Sequence, residues 1–454
     1  MMRARAIYWL LGLGLLWGVA SALGEQRFPP PEFESGHVLP VTTTPAPRGI
    51  AWQYVDMAVL AGALGLATWL TLKRRSRRGL LFLSVFSVLY FGFYRKGCVC
   101  PIGAPQNVAL SLFDGTYSLP LVVLVFFLLP LAVALFAGRI FCSAVCPHGA
   151  LQDLVLIRPV KVPFWLEQAL GLLPYLFLGA GILFAATGSA FIVCRYDPFI
   201  PLFRMSGSFL LVTAGLLMLV LGMFVGRPYC RFLCPYGALL RIASAVSRWR
   251  VRITPDYCTQ CRLCEESCPY GAIREPVLLP NTPEQLKPDR RRLAGLLLLT
   301  PVLMLAGGWL GTRLAPAFSQ LHPTVALAEA FYAPDRPTTP PPTPTPDSLA
   351  LERAAKAPEQ LRADAVRIRE RFITGSGWFG AWVGLVIAVR LIVLSQRPRR
   401  TDFEPDRSAC VACGRCYTSC PNERVRLGLL PTDAVPPPPP GVSRATPAHP
   451  PARL

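Results

Sequence analysis

Fifteen cysteines carry most of the chemistry legible in this 454-residue chain. Cys258, Cys261, Cys264 and Cys268, followed by Pro269, have the spacing C-x2-C-x2-C-x3-C-P, and Cys410, Cys413, Cys416 and Cys420, followed by Pro421, repeat it. That spacing suits a [4Fe–4S] cluster. A cubane needs four thiolates converging from several directions. Three closely spaced cysteines wrap three irons, the fourth arrives from elsewhere, and the proline turns the chain away. Structural zinc favours two separated pairs, and disulfides belong to oxidising compartments, so two [4Fe–4S] clusters are expected. In two-cluster domains built from such runs, the fourth cysteine of each run ligates the other cluster. Cluster A would take Cys258, Cys261, Cys264 and Cys420. Cluster B would take Cys410, Cys413, Cys416 and Cys268. The alternative is two independent loops, each closing on its own cluster.

A second repeat lies upstream. Gly138-Arg139-Ile140-Phe141-Cys142 through Cys146-Pro147-His148-Gly149-Ala150-Leu151 matches Gly226-Arg227-Pro228-Tyr229-Cys230 through Cys234-Pro235-Tyr236-Gly237-Ala238-Leu239. Proline suits the first turn of a helix, so Cys146 and Cys234 are predicted at helix N-termini, where the dipole favours a thiolate. Cys142, Cys146, Cys230 and Cys234 supply four thiols, enough for a third centre, Fe–S or another metal. The bland readings are packed reduced thiols or redox pairs. A fainter copy, Cys98-Val99-Cys100-Pro101-Ile102-Gly103-Ala104, and Cys194 complete the set as a candidate outer redox site. For them a disulfide with one spare thiol is the alternative.

Missing groups also decide. The four histidines, His37, His148, His322 and His449, lie outside the centres of the apolar stretches, and C-x-x-C-H does not occur, so no haem is expected. Neither a P-loop nor a Rossmann glycine motif is found in context.

The elements that must hold these thiols are membrane helices. The chain is 52% hydrophobic and 16% charged, against about 25% charged in soluble domains, and its mean hydropathy is +0.42. A hydrocarbon core about 30 Å thick needs roughly 20 apolar helical residues. Eight candidate spans follow: 6–24, 51–72, 79–94, 118–137, 169–192, 207–225, 293–311 and 377–395. Residues 1–24 read equally as a signal anchor or a cleaved signal peptide. The basic run Lys73-Arg74-Arg75-Ser76-Arg77-Arg78 marks the cytoplasmic side. The net charge of +20 is read as the same bias and not as nucleic-acid binding.

Span counting then puts 138–168, 226–292 and 397–454 inside, and 25–50, 95–117, 193–206 and 312–376 outside. Arg95 and Lys96 break the charge bias. The domains follow from this count: a periplasmic segment 25–50, a membrane core 51–249, and half-domains 250–292 and 397–430 with spans 293–311 and 377–395 between them. Within the partly Pro-rich periplasmic segment 312–376, residues 348–372 read as an amphipathic helix, and 431–454 as a disordered Pro-rich tail. The fold class is a polytopic α-helical membrane protein with a split bacterial-type two-[4Fe–4S] ferredoxin domain on the cytoplasmic face.

Paired Cys-x3-Cys-Pro motifs at span ends, followed by two ferredoxin runs, resemble the membrane polyferredoxins, which include the NosR/NirI proteins, NapH and the CcoG-type proteins. The resemblance covers residues 51–425, and Cys98-Val99-Cys100-Pro101 with Asp197-Pro198-Phe199 is closest to the NosR branch. It implies electron delivery between a cytoplasmic or quinol donor and a periplasmic or membrane redox partner, such as a reductase, cytochrome or flavoprotein. The periplasmic flavin domain of that branch has no counterpart in residues 25–50, so no covalent FMN is expected. The resemblance to CcoG-type proteins implies a second function, assembly or regulation of a respiratory metal centre. The localisation implied is a bacterial inner membrane, with quinol dehydrogenase activity left open.

Overall fold

The computed structural model describes residues 49–97, 101–254, 257–277, 283–332, 357–396, 400, 402–431 and 434–435. The expected first segment 1–24, the stretch 348–356 and most of the tail lie outside them, as do Cys98 and Cys100.

The first described helix, α1 (Ile50–Leu72), buries Leu60, Ala63, Leu64 and Ala67. Their i, i+3, i+4, i+7 spacing forms one helical face. Helix α2 (Arg77–Ser87) starts at Ser76, whose hydroxyl accepts from the Gly79 N–H. It runs on as a π-helical segment Val88–Tyr94. At its end Arg95 pairs with the buried Asp56 of α1 at 2.8 Å, and the Tyr90 hydroxyl donates to the same carboxylate. The charge that broke the orientation bias is thus neutralised within the helix bundle.

Helix α3 (Ala104–Phe113) occupies a stretch read from sequence as loop and packs on α4 (Leu121–Ala137) and on a later helix. After α4 the chain turns at Gly138 (φ 78°), makes a π-helical turn Phe141–Val145, and enters α5 (Pro147–Leu154). The apolar stretch Phe164–Ala186 contains α6 (Phe164–Leu170) and α7 (Leu173–Ala186), the helix that α3 packs on. Helix α8 (Phe209–Gly222) is followed by α9 (Pro228–Phe232) and α10 (Pro235–Ala245).

By length and composition, Ile50–Leu72, Phe164–Ala186, Arg291–Ser319 and Pro358–Ser395 can cross a membrane, while Leu121–Ala137 and Phe209–Gly222 are shorter. The short helices α5 and α10 do not project as loops. Helix α10 packs against α4 and α7, and α5 packs against α2. Both fold back into the bundle.

Helices α11 (Pro283–Ser319) and α13 (Pro358–Ser395) form a long antiparallel hairpin, with α12 (Pro323–Tyr332) packed on α13. They outrun the apolar windows 293–311 and 377–395, and residues 358–372 belong to α13 itself. A seam of small residues lets the two backbones touch. A Cβ at Gly307 or Gly380 would strike the carbonyl of the other, and one at Gly311 would strike that of Ser376. Close approach through small residues is how helices associate in lipid. The hairpin meets the core where the Trp382 indole N–H donates to the Tyr175 carbonyl at 2.9 Å.

This hairpin separates the two ferredoxin runs in sequence, yet they meet. Strand β1 (Ile273–Arg274) pairs antiparallel with β2 (Glu404–Pro405), Ile273 opposite Pro405 and Arg274 opposite Glu404. Asp406 N–H donates to the Ala272 carbonyl, Arg274 reaches Asp406 at 3.2 Å, and the Asn422 amide donates to the Tyr257 carbonyl.

Candidate iron–sulfur centres

Each run bends at equivalent points. Gln260 and Ala412, between the first and second cysteines, have φ of 55° and 54°, and Arg262 and Gly414, after the second, have 61° and 79°. Side chains other than glycine rarely adopt such values, so three of these four residues hold strain. Strain of this kind persists where surrounding structure imposes it and gathers at functional sites. Here it curls both loops around their thiols.

The thiols gather in two groups. Cys268, Cys410, Cys413 and Cys416 line one small cavity, with Val251, Tyr270 and Ile273. Cys258, Cys261, Cys264 and Cys420 line a second, with Ile253, Thr254 and Phe403. In each, the fourth cysteine comes from the other run. Among the described residues no three His, Cys, Asp or Glu side chains converge on a single ion-sized point. Four thiols in each cradle match the donor set of a cubane, in which each thiolate binds a different iron. Burial pushes the Cys264 and Cys410 thiols up to about 12, and Cys416 well above its ordinary value. Holding them as thiolates needs nearby positive charge, which iron would bring.

Upstream, Cys146 and Cys234 are the N-cap residues of α5 and α10, as the following prolines predict. The Cys234 sulfur accepts from the Gly237 N–H at 3.2 Å. Cys142, Cys146, Cys230 and Cys234 are all buried. Gln152 donates to the Cys230 sulfur at 3.4 Å, and Arg139 reaches the Cys142 sulfur at 3.6 Å. A Cβ at Gly149 would sit 3.1 Å from the Cys142 carbonyl and 3.7 Å from the Cys230 sulfur, so the two copies meet across this glycine. Burial raises the Cys230 thiol to about 12, with Cys142 adding to it. Cys194 is exposed, and a Cβ at Gly103, the glycine that follows Pro101 and Ile102, would strike its sulfur.

Asp153 and Arg227 were not singled out from the sequence as site residues. Asp153 is buried, 2.6 Å from Arg77, 3.5 Å from Arg227 and 3.3 Å from Arg415, and it accepts from the Tyr270 hydroxyl at 2.9 Å. Burial alone would raise its pKa, but Arg227, Arg77 and Arg415 together hold the carboxyl well below the usual range. Arg227 is left-handed (φ 50°) and buried. It donates to the carbonyls of Cys142 and Ser143 and lies over the Tyr270 ring. Deeper in the bundle, His148 Nε2 meets Asp197 at 3.1 Å, and the Tyr229 hydroxyl donates to the same carboxylate at 3.0 Å.

A 4Fe-4S binding domain model matches residues 119–164 and again 207–254, one match on each copy of the repeat. A second 4Fe-4S binding domain model matches 251–274, the first ferredoxin run. No solved structure matches the chain. The fold and thiol sites define a membrane-associated ferredoxin-type iron–sulfur protein. Protein NirI of Paracoccus denitrificans is 31% identical over 49% of this chain and 35% of its own length. The putative electron transport protein YccM of Escherichia coli is 29% identical over 37% of this chain and 52% of its own. The protein MJ0750 of Methanocaldococcus jannaschii is 30% identical, with 77% of its length covered. The chain thus spans about a third of NirI and half of YccM. It belongs to the family of membrane ferredoxin-type 4Fe-4S proteins that includes NirI and NosR.

Proposed function

We propose that this protein is an electron conduit with two crossed [4Fe–4S] sites at one face of the membrane. Cys258, Cys261, Cys264 and Cys420 hold one cluster, and Cys268, Cys410, Cys413 and Cys416 the other. The observation that carries this reading is the exchange of fourth cysteines between the two thiol-lined cavities. A [4Fe–4S] group supplies one-electron redox chemistry. The chain's part is to fix the two sets of thiolates side by side and to join them to the helices. The sites face the cytoplasm of a bacterial inner membrane. The basic run 73–78, the orientation marker, supports this, because Arg77 donates to the Cys413 carbonyl and Arg75 pairs with Glu423.

Cys142, Cys146, Cys230 and Cys234 form a third redox-active or metal-holding set between these sites and the bundle interior. Cys98, Cys100 and Cys194 form an outer one. Electrons pass between a soluble or quinol donor and a periplasmic or membrane redox partner. The test is anaerobic rapid-freeze EPR of the full protein in nanodiscs, mixed with quinol or with reduced viologen. Reduction of both clusters within milliseconds to seconds supports the conduit. Copper retained at the Cys-x3-Cys-Pro pairs, with cluster reduction too slow for turnover, would contradict it and favour a metal-centre assembly role.

A further inference from the structure

Resting on that reading, we infer that the two sites stand in a fixed order. The Cys258/Cys261/Cys264/Cys420 site exchanges electrons with a soluble carrier, and the Cys268/Cys410/Cys413/Cys416 site exchanges them with the membrane repeat.

The exposure of the two cradles differs. Cys261 is exposed and Cys258 half-buried, whereas no cysteine of the other set is exposed. Around Cys261 the surface is open, with Arg262 and Leu263 exposed beside it. This cradle is tied to the helices by Arg75, in the loop between α1 and α2, which donates to the Ile253 carbonyl, and by Lys161, which pairs with Glu265 at 3.2 Å.

The second cradle is tied to the repeat itself. Arg139 reaches the Cys142 sulfur with one guanidinium nitrogen and the Ser408 carbonyl, at 3.3 Å, with another. Tyr270 lines this cavity and donates to Asp153. Asp153 in turn pairs with Arg227, whose charge is felt by both Cys230 and Cys413. A few buried side chains therefore separate this cradle from the Cys142/Cys230 pair. The short helices Leu263–Glu266 and Arg415–Ser419, which carry Cys264 and Cys416, pack on one another across the join between the cradles, so transfer between them is short.

For inward flow, one electron leaves a soluble low-potential donor, which is oxidised, and reduces the exposed site. The electron then passes to the buried site, reoxidising the first. No bond forms or breaks and no proton moves. The order is the same for reverse flow.

The test uses the full protein in nanodiscs and EPR power saturation with a water-soluble dysprosium chelate. Cys261→Ser and Cys410→Ser assign the two cluster signals by loss. The signal lost in Cys261→Ser should relax strongly with dysprosium, and the signal lost in Cys410→Ser weakly. Arg227→Gln, which removes a buried positive charge but no ligand, should shift only the second signal to a more negative midpoint potential. Equal relaxation of both signals, or a shift of the Cys261-dependent signal in Arg227→Gln, overturns the order while leaving the two-cluster reading intact. Iron-free protein overturns that reading and the order with it.

Discussion

His148 Nε2 lies 3.1 Å from the Asp197 carboxylate, although span counting places these residues on opposite faces of the membrane. His148 opens helix α5 after one span, and Asp197 follows the next span at its other end. Both segments therefore dip into the bundle and meet inside it. Phe199 and Phe203 close edge-on around the imidazole, and Tyr229 stacks on it at 5.8 Å between ring centroids. One interior network runs from the Cys230 sulfur through the Gln152 amide to the His148 carbonyl, and from the His148 ring to Asp197, three residues beyond Cys194.

Replacing His148 by Leu leaves Asp197 with only Tyr229 and the Phe199 N–H as donors. Removing one partner of a buried pair costs about 3–5 kcal/mol. Thermal unfolding in detergent should show that loss, and His148→Gln, which keeps a donor, should recover part of it. Wild-type stability in His148→Leu would show that the pair does not hold the two segments together.

Asp153→Asn should loosen the ferredoxin domain from the helices. The carboxylate faces three guanidiniums and a tyrosine hydroxyl, and its neutralisation should cost about 3 kcal/mol. Hydrogen exchange should rise in residues 402–431 while α4 and α7 stay protected. Uniform exchange across the protein would contradict a docking role.

The pH dependence of that docking follows from the sign of the shift. Asp153 has its pKa depressed in the folded protein. Its contribution is complete above the unfolded value of about 3.9 and is lost only as pH falls through the lower folded value. Protection factors in 402–431, which divide out the intrinsic pH dependence of amide exchange, should therefore stay flat through neutral and mildly acid pH and fall only in strong acid. A loss of protection as pH falls from about 7 to about 5 would assign the docking to another group.

The hairpin seam predicts intolerance of side chains. Gly380→Leu would drive a side chain into the Gly307 backbone and Gly384→Leu into Leu303, so the α11–α13 contact must open. Because that hairpin returns the second run to the first, the variants should lose cluster content as well as stability. Leu at Gly295, which has open space, should do neither. Full iron content in Gly380→Leu would show that the hairpin does not set the join.

The two ferredoxin runs were legible because ligand spacing is a local constraint, and the exchange of fourth cysteines was an expectation from the ligation pattern of two-cluster ferredoxins. Helices α1, α4 and α7 were legible from apolar length. The interior placement of Arg139, His148, Gln152, Asp153, Asp197 and Arg227 was not, because hydropathy registers each as polar and assigns it to a loop. These residues are buried because they satisfy one another across segments far apart in sequence. Helix α3 was missed for a related reason: Gln106 looks like a loop residue, but its amide accepts from the Val193 N–H inside the bundle. Charged residues likewise hid the true lengths of α11 and α13.

The central claim, two crossed clusters in one chain, is tested most directly by iron and sulfide analysis with EPR on anaerobically purified wild type, Cys268→Ser and Cys420→Ser. Wild type should carry about eight irons per chain. Each variant should fall to about four, Cys420→Ser losing the signal that depends on Cys258 and Cys268→Ser the one that depends on Cys410. Colourless, iron-free wild type, or a Cys420→Ser variant that loses the Cys410-dependent signal instead, would contradict the account.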